Sequence, residues 1–427
     1  MDITVVLFVL AYVAMALGHL PVFNVDRAGA AVLMAMLLIV AGRISPQAAW
    51  NSIDFETIGM LFGLMIVSAA FVEGGFYRWL ARKLADMPVG PKTLTALMIV
   101  TGALLSAVLS NSIVVLAMTP VLCAMTLQRQ MNPVPILLAM CFAANLGSTA
   151  TLIGSPNNII LAASMHLSFV EFSKLTLIPV LLSLFFVWVV LVIYYRKSWM
   201  LTADMQAQIQ MPDHNVQVNA GMIDRGADPN KLHNRTETIK AAVVTVCVVA
   251  AFVFTDWPHV MIALGGGSVL LLNRSISSHD LLRHVDANLL LMLMGLFVVN
   301  EAMAMTGLLT EFVDWIHGTG VNLHSIFQSF FISAAVSDLI GNSPTIMLLS
   351  PFISNVKEGV ELLGAAVALG TGFSSNSILF GSLAGIIVAE QAKARGVTIG
   401  FLEFSRTGLP ITLISLGLGV LWLTLIK

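Results

Sequence analysis

The chain has 427 residues, 58% of them apolar and only 10% charged, against about 25% charged in an ordinary soluble domain. Its 21 basic and 23 acidic residues cannot cover a soluble protein of 45.7 kDa, and a mean hydropathy of +0.91 reads as a polytopic membrane protein. That excludes a nucleic-acid partner, a secreted disulfide scaffold and a soluble enzyme, while the net charge of −2 identifies no partner.

In chain order, full apolar spans fall at about 3–20, 26–42, 56–73, 133–165 and 174–195. Among them, 92–128 is apolar but interrupted at Ser110-Asn111-Ser112. The first run has no basic leader and no small-residue cleavage site, so no cleaved signal is expected. Residues 196–236 are polar without an apolar period and read as a solvent-facing linker. The second half repeats the order, with spans at 238–255, 258–273, 286–306, 360–392 and 404–426 and an interrupted one at 323–355, broken at Gly341-Asn342-Ser343-Pro344. A full span is near the ~20 residues needed to cross a bilayer. The arms of the interrupted spans are shorter, as re-entrant helical hairpins require. The expected fold is an all-α polytopic membrane protein made of two inverted-topology repeats, residues 1–195 and 237–427, joined by a cytoplasmic linker at 196–236. Each repeat holds five transmembrane helices and one re-entrant hairpin.

Charge supports this layout. With the linker inside, only Arg43, Lys174, Lys357 and Lys427 of the 21 basic residues fall outside, the asymmetry that the positive-inside rule demands. Both termini then lie outside the cell membrane. Five crossings per half is an odd number, so the second half enters the membrane the other way up.

The halves also match in sequence. FGLMIVSAAFVEGGF (62–76) aligns with MGLFVVNEAMAMTGL (294–308), placing Gly63 over Gly295 and Gly75 over Gly307. Asp54 falls over Asp286 at the same offset, and both are expected to cap helix starts. Asn111 and Pro120 fall over Asn342 and Pro351; TLIGSPNNIILAAS (151–164) matches ILFGSLAGIIVAEQ (378–391); FVEFSKLTLIP (169–179) matches FLEFSRTGLP (401–410). Paired interruptions in inverted repeats are the best sequence pointer to a transport site.

Four polar breaks therefore carry the chemistry: 110–112, 145–158, 341–345 and 370–377, the last running on to Gly381-Ser382. Unwound backbone at membrane depth must be buried in protein or line a wet cavity. Its N–H groups suit anions and polar oxygens, and its carbonyls suit a small hard cation. The plainer alternative is helix contact through small residues. Two acids lie within apolar runs, Glu301 and Asp338. Such acids are costly and mark function, and desolvation favours the neutral form of a carboxyl, as a proton carrier needs. Asp338, one helical turn before Asn342, ranks first; the alternative role for each acid is a fixed hydrogen-bonding anchor. Glu73 and Glu390 are expected to reach an interface, as are six histidines including His166, His259, His284 and His317. Cys123, Cys141 and Cys247 read as small buried hydrophobes, and the many methionines as core filler rather than a soft-metal site. No cofactor is expected.

At the breaks, SNSIVVLAMTP, NLGSTATLIGSPNNIIL, GNSPTIMLLSP and SLAGIIVAEQAKARGVTIGFLEF resemble the ion transporter superfamily over nearly the whole chain. The resemblance is strongest to the arsenite permease and anion permease branch, the arsenical pump membrane protein family. It implies a scaffold and a moving transport domain. It carries substrate-binding roles to Asn111, Ser112, Asn145, Thr149 and Asn158 in the first half, and to Asn342, Ser343, Thr345, Ser374, Asn376 and Ser382 in the second. Many relatives have Asp where Ser112 stands, and the sodium–dicarboxylate branch carries Ser-Asn-Thr at both tips, where this chain reads Ser-Asn-Ser and Gly-Asn-Ser.

The expected function is a secondary antiporter of the inner membrane, exporting arsenite, with antimonite as a further cargo, in exchange for protons. No Lys or Arg lies in the four breaks, which suits an uncharged trihydroxide. A sodium-coupled anion or dicarboxylate carrier and a sodium/proton antiporter stay open as alternatives. An intramembrane enzyme finds no HExxH or G-x-S-x-G motif. No phosphate-loop motif is present, so any ATPase drive would come from a separate subunit.

Overall fold

Side-chain caps mark the starts of several helices. A computed structural model describes residues 2–20, 23–201, 233–308, 322–354 and 359–427. Asp2 accepts from the Thr4 N–H to start α1 (Ile3–Leu17), and Asp26 accepts from Gly29 to start α2 (Arg27–Val40). A short α3 (Pro46–Asn51) precedes α4 (Phe55–Glu73), capped by Asp54, and α5 (Phe76–Ala85). The first hairpin is α6 (Pro91–Val108) and α7 (Asn111–Gln128); then come α8 (Pro133–Thr149), α9 (Pro156–Met165) and α10 (Phe169–Tyr194). Proline opens α3, α6, α8 and α9, where its missing N–H costs nothing. In the second half, α11 (Arg235–Phe254), α12 (His259–Leu271) and α13 (Ser278–Leu282) lead to α14 (Ala287–Ala304), capped by Asp286. The second hairpin is α15 (Ile326–Ile340) and α16 (Asn342–Ile353). It is followed by α17 (Val360–Ser374), a 3₁₀ turn (Leu379–Gly381), α18 (Leu383–Lys393) and α19 (Phe401–Ile426). Among the described residues no strand forms; there are two isolated bridges.

The succession α1–α4 recurs as α11–α14, and α6–α10 as α15–α19. The stretch matching α5 falls in 309–321, outside the described residues, with His317. Packing is reciprocal as well: α4 lies on α12 as α14 lies on α2, α6 on α8 as α15 on α17, and α7 on α18 as α16 on α9. The matched glycines have matched work. A Cβ on Gly63 would strike the Ala263 carbonyl, and one on Gly295 the Ala31 carbonyl, so both helix crossings need the absent side chain. Gly75 and Gly307 each turn the chain in the left-handed region, φ +73° and +74°, at the ends of α4 and α14. Every residue of α8 is buried, as is α17 from Leu363 to Ser374; these two helices form the centre.

Seven of the described helices are long and apolar enough to cross a membrane, and they include α6 and α7 at 18 residues each. Contrary to expectation, the arms of the first interrupted span are therefore not shorter than a full span, whereas α15 and α16 are. α10, α11 and α19 turn exposed apolar side chains outward, among them Phe185, Val246 and Leu413, the surface that lipid covers. Three short helices, α3, α5 and α13, were not expected. α5 is amphipathic, with Tyr77 and Ala81 buried and Arg82 and Lys83 in its last turn, a pattern that a search for long apolar runs passes over. Of the linker, 202–232 lies outside the described residues, as does Lys357.

Three side-chain expectations are corrected. Glu73 does not reach an interface: it is 3% exposed and accepts from Arg283 Nη2 at 3.0 Å and pairs with His284 Nε2 at 2.8 Å. His284, expected at the surface, is therefore buried in a contact between halves. Cys247 is exposed, unlike Cys123 and Cys141, because it lies on the outward face of α11.

Candidate functional site

The two broken segments meet at the centre. α8 ends at Thr149, and an irregular stretch from Ala150 leads to the extended Ser155 (φ −148°), which is held out of the helical region by the following Pro156 and opens α9. After α17, residues 375–382 leave the helix through extended Ile378 and Ser382, and the Ser382 hydroxyl caps α18 by accepting from the Gly385 N–H at 3.1 Å. Asn145 of α8 joins the two halves. Its Nδ2 donates to Asn376 Oδ1 at 2.9 Å and to Ser382 Oγ at 3.0 Å. The Asn145 Oδ1 is enclosed and has no hydrogen-bond partner among the described residues. It is an acceptor inside a site of amides and hydroxyls, where a buried polar atom without a partner is expensive.

Other expected residues brace the breaks. Asn158 Nδ2 donates to the Ser148 and Thr151 carbonyls at 3.1 and 2.8 Å, tying the start of α9 to the unwound turn. Its Oδ1 accepts from Asn157 Nδ2, which also reaches Thr371 of α17. The Thr149 hydroxyl donates back to the Asn145 carbonyl at 2.9 Å, and its side chain fills the place of a Cβ at Gly372. Ser374 donates to the Thr371 carbonyl at 3.1 Å.

The second hairpin tip is tied into this group. Gly341, with φ +91°, makes the sharp joint between α15 and α16. Asn342 donates to Ser375 Oγ at 2.8 Å and accepts from Ser337 Oγ at 2.6 Å. Thr345 donates to the Gly341 carbonyl at 2.7 Å, and Ser343 is half-buried beside them. Asp338, half-buried on α15, accepts from Ser377 Oγ at 2.7 Å. It therefore touches the broken segment between α17 and α18. Glu301 does not join the group: it is exposed in the last turn of α14.

The first tip does not join this group; its Ser110 N–H donates to Ser68 Oγ of α4 at 3.0 Å. Asn111 Oδ1 accepts from the Ser112 N–H at 2.7 Å and from its hydroxyl at 3.2 Å. Ser110 and Ser112 face a small cavity, about 60 Å³, whose walls include Pro156, His284, Asp286 and Leu383. A second cavity, about 400 Å³, has Glu56, His166, Asp256 and His259 in its wall.

Sequence reasoning missed Ser375, Ser377, Asn157 and Thr371, although all four lie in the quoted breaks. It also missed Asn300, whose signal was available. Pro351 lies inside α16 and has no N–H for the Met347 carbonyl four residues back. Asn300 Nδ2 supplies that bond at 2.8 Å, while Tyr12 donates to Asn300 Oδ1 at 2.8 Å. Trp422 Nε1 does the same for Leu175, the carbonyl freed by Pro179 in α10.

Known proteins agree with a transport fold. A family model described as a citrate transporter matches residues 5–372. An uncharacterised transporter of Mycobacterium tuberculosis is 28% identical over 438 residues, covering 99% of this chain and 98% of the relative. The P protein of Mus musculus is 26% identical over 474 residues, covering 92% of this chain and 56% of that protein. Among solved structures, the YdaH transporter of Alcanivorax borkumensis shares the fold, with a TM-score of 0.52 at 16% identity over 99% of this chain and 96% of that one. With a family match that runs from α1 almost to the end of α17, on a fold of apolar helices, the chain is a membrane transporter that belongs to the citrate transporter family.

Proposed function

We propose that the chain is a proton-coupled secondary carrier for a small oxygen-bearing solute, working by alternating access between two inverted repeats, residues 1–195 and 237–427. The observation that carries this reading is the union of matched breaks through Asn145, Asn376 and Ser382, beside a hairpin tip held by Asn342. Inverted repeats with broken helices at their interface let one site face each side in turn. Asp338 is the proposed proton carrier. It is in contact with a break, whereas Glu301 is exposed in the last turn of α14. The linker at 196–236 is proposed to be cytoplasmic and both termini outside.

Two cargoes fit this site. A small carboxylate such as citrate is favoured by family membership. Export of arsenite, with antimonite beside it, is favoured by the donor set of the breaks, which is amide and hydroxyl throughout. The purified chain in proteoliposomes, without any ATPase subunit, decides between them. Under an imposed proton gradient we expect accumulation of one cargo, citrate or arsenite, that collapses with a protonophore. Accumulation driven by sodium at constant pH would replace the proton reading with the sodium-coupled alternative. Orientation is read from single cysteines at the matched sites Gly42 and Arg274 in a chain free of native cysteine. They should label from opposite sides, and labelling from one side would refute the inverted arrangement.

A further inference from the structure

Arg27, the first residue of α2, lies in none of the four breaks, yet the fold carries it to the second hairpin tip. A Cβ placed on Gly341 would lie 3.9 Å from its Nη1. The side chain is half-buried, and its Nε is enclosed with no hydrogen-bond partner. Among the described residues no carboxylate forms an ion pair with it. The neighbouring acid, Asp26, uses its Oδ1 to cap α2 through the Gly29 N–H at 2.8 Å.

A guanidinium partly withdrawn from water without a counter-charge carries a desolvation cost, and an arriving anion offsets part of it. Its planar fork matches a carboxylate in two parallel hydrogen bonds. The same point receives a second positive contribution. The twelve-residue α16 begins at Asn342, so its first N–H groups and its dipole face the tip. The two features come from different halves of the chain and converge on Gly341. The matched position in the other half is His259, which packs against Phe252 and lines the second cavity instead. The cavity at the first tip has Ser110, Ser112, His284 and Asp286 in its wall and no arginine among the residues that line it.

We propose that Arg27 is the residue that sets charge selectivity, holding a carboxylate group of the cargo at the second hairpin tip, so that the site takes a small carboxylate rather than an uncharged hydroxide. This rests on the reading that the breaks form the cargo site, and it names the class of cargo that site accepts.

The test uses the full chain in proteoliposomes with labelled citrate and labelled arsenite, comparing wild type with Arg27→Gln, Arg27→Lys and Asn342→Ala. Wild type should take up citrate. Arg27→Gln should raise the KM for citrate about tenfold to hundredfold, the range for losing a charge-assisted pair, with the maximal rate largely kept. Arg27→Lys keeps the charge and guards against a folding defect; it should restore affinity in part, because an ammonium lacks the fork. If Asn342→Ala abolishes uptake while both Arg27 variants keep the wild-type KM, the role of Arg27 is overturned and the cargo site stands. If uptake survives in Asn342→Ala and in both Arg27 variants, the cargo site itself is misplaced. Wild-type transport of arsenite without citrate would also overturn the proposal.

Discussion

At the first hairpin tip Asn111 bonds to its own neighbour Ser112, and the flanking serines face an open cavity. At the second, Asn342 is held from two sides, by Ser337 of its own hairpin and by Ser375 of the broken segment. The two asparagines occupy matched positions in halves whose helices, caps and crossings also match. The halves thus share the order of their helices while the bonding at the tips differs: the second is docked on the broken segment, and the first, tied to α4 by the Ser110 N–H, is open on its cavity side. In the proposed cycle this asymmetry is the stored difference between the two access states. The docked tip is also the one beside Arg27 and Asp338.

The largest expected effect comes from the acid that only one hairpin possesses. The position matching Asp338 in the first hairpin is Ala107. Asp338→Asn should abolish proton-driven accumulation while counterflow exchange of the cargo persists, measured in the same proteoliposomes. Glu301→Gln, on the exposed face of α14, should accumulate cargo as wild type does. Full gradient-driven accumulation in Asp338→Asn would reduce that carboxylate to a structural partner of Ser377.

How much of this was legible in the sequence follows from the range over which each signal acts. Gly63 and Gly295 aligned in the sequence because each admits a neighbouring backbone at an equivalent crossing. Asp54 and Asp286 aligned because each caps the helix that follows it. Such signals act within a few residues, or recur at a fixed offset. The Asn145–Asn376 bond spans 231 residues. Both partners lie in quoted breaks, but nothing local says that they touch. Arg27 was invisible as a site residue for the same reason: it lies in α2 and meets the tip only through packing. Glu73 near a span end resembled an interfacial acid until the fold supplied Arg283 and His284. In α5, alternating arginines and aromatics hid a helix from a search for long apolar runs.

The tip asparagines give the next effect. Asn342→Ala and Asn111→Ala should each lose most transport, since both tips belong to the proposed cycle. Stability should separate them. Asn342→Ala removes two side-chain bonds between elements and should cost about 1–3 kcal/mol. Asn111→Ala removes bonds confined to one turn beside the cavity and should cost about 0.5 kcal/mol or less. Thermal unfolding in a single detergent checks the difference. Equal losses of stability would erase the distinction between a docked and an open tip.

The smallest effect tests how the helices beside the hairpins hold them. Matched positions on α4 and α14 contact the two hairpins: Ser68 Oγ accepts from the Ser110 N–H at 3.0 Å, and Asn300 Nδ2 donates to the Met347 carbonyl at 2.8 Å. The first bond serves an N–H at a helix start that faces a cavity, where water can replace the lost partner. The second serves a carbonyl that Pro351 leaves without its helical donor, on a residue only 3% exposed. Water has little access to that carbonyl, so its loss carries the desolvation penalty of an unpaired group. Asn300→Ala should therefore destabilise the protein by about 1–2 kcal/mol, and Ser68→Ala by about 0.5 kcal/mol. Tyr12→Phe supplies an internal control. It removes the donor to Asn300 Oδ1 but leaves the bond to Met347, so its cost should fall between the other two. If Ser68→Ala proves the more damaging, the first hairpin is the one held more tightly, and the assignment of docked and open tips must be exchanged.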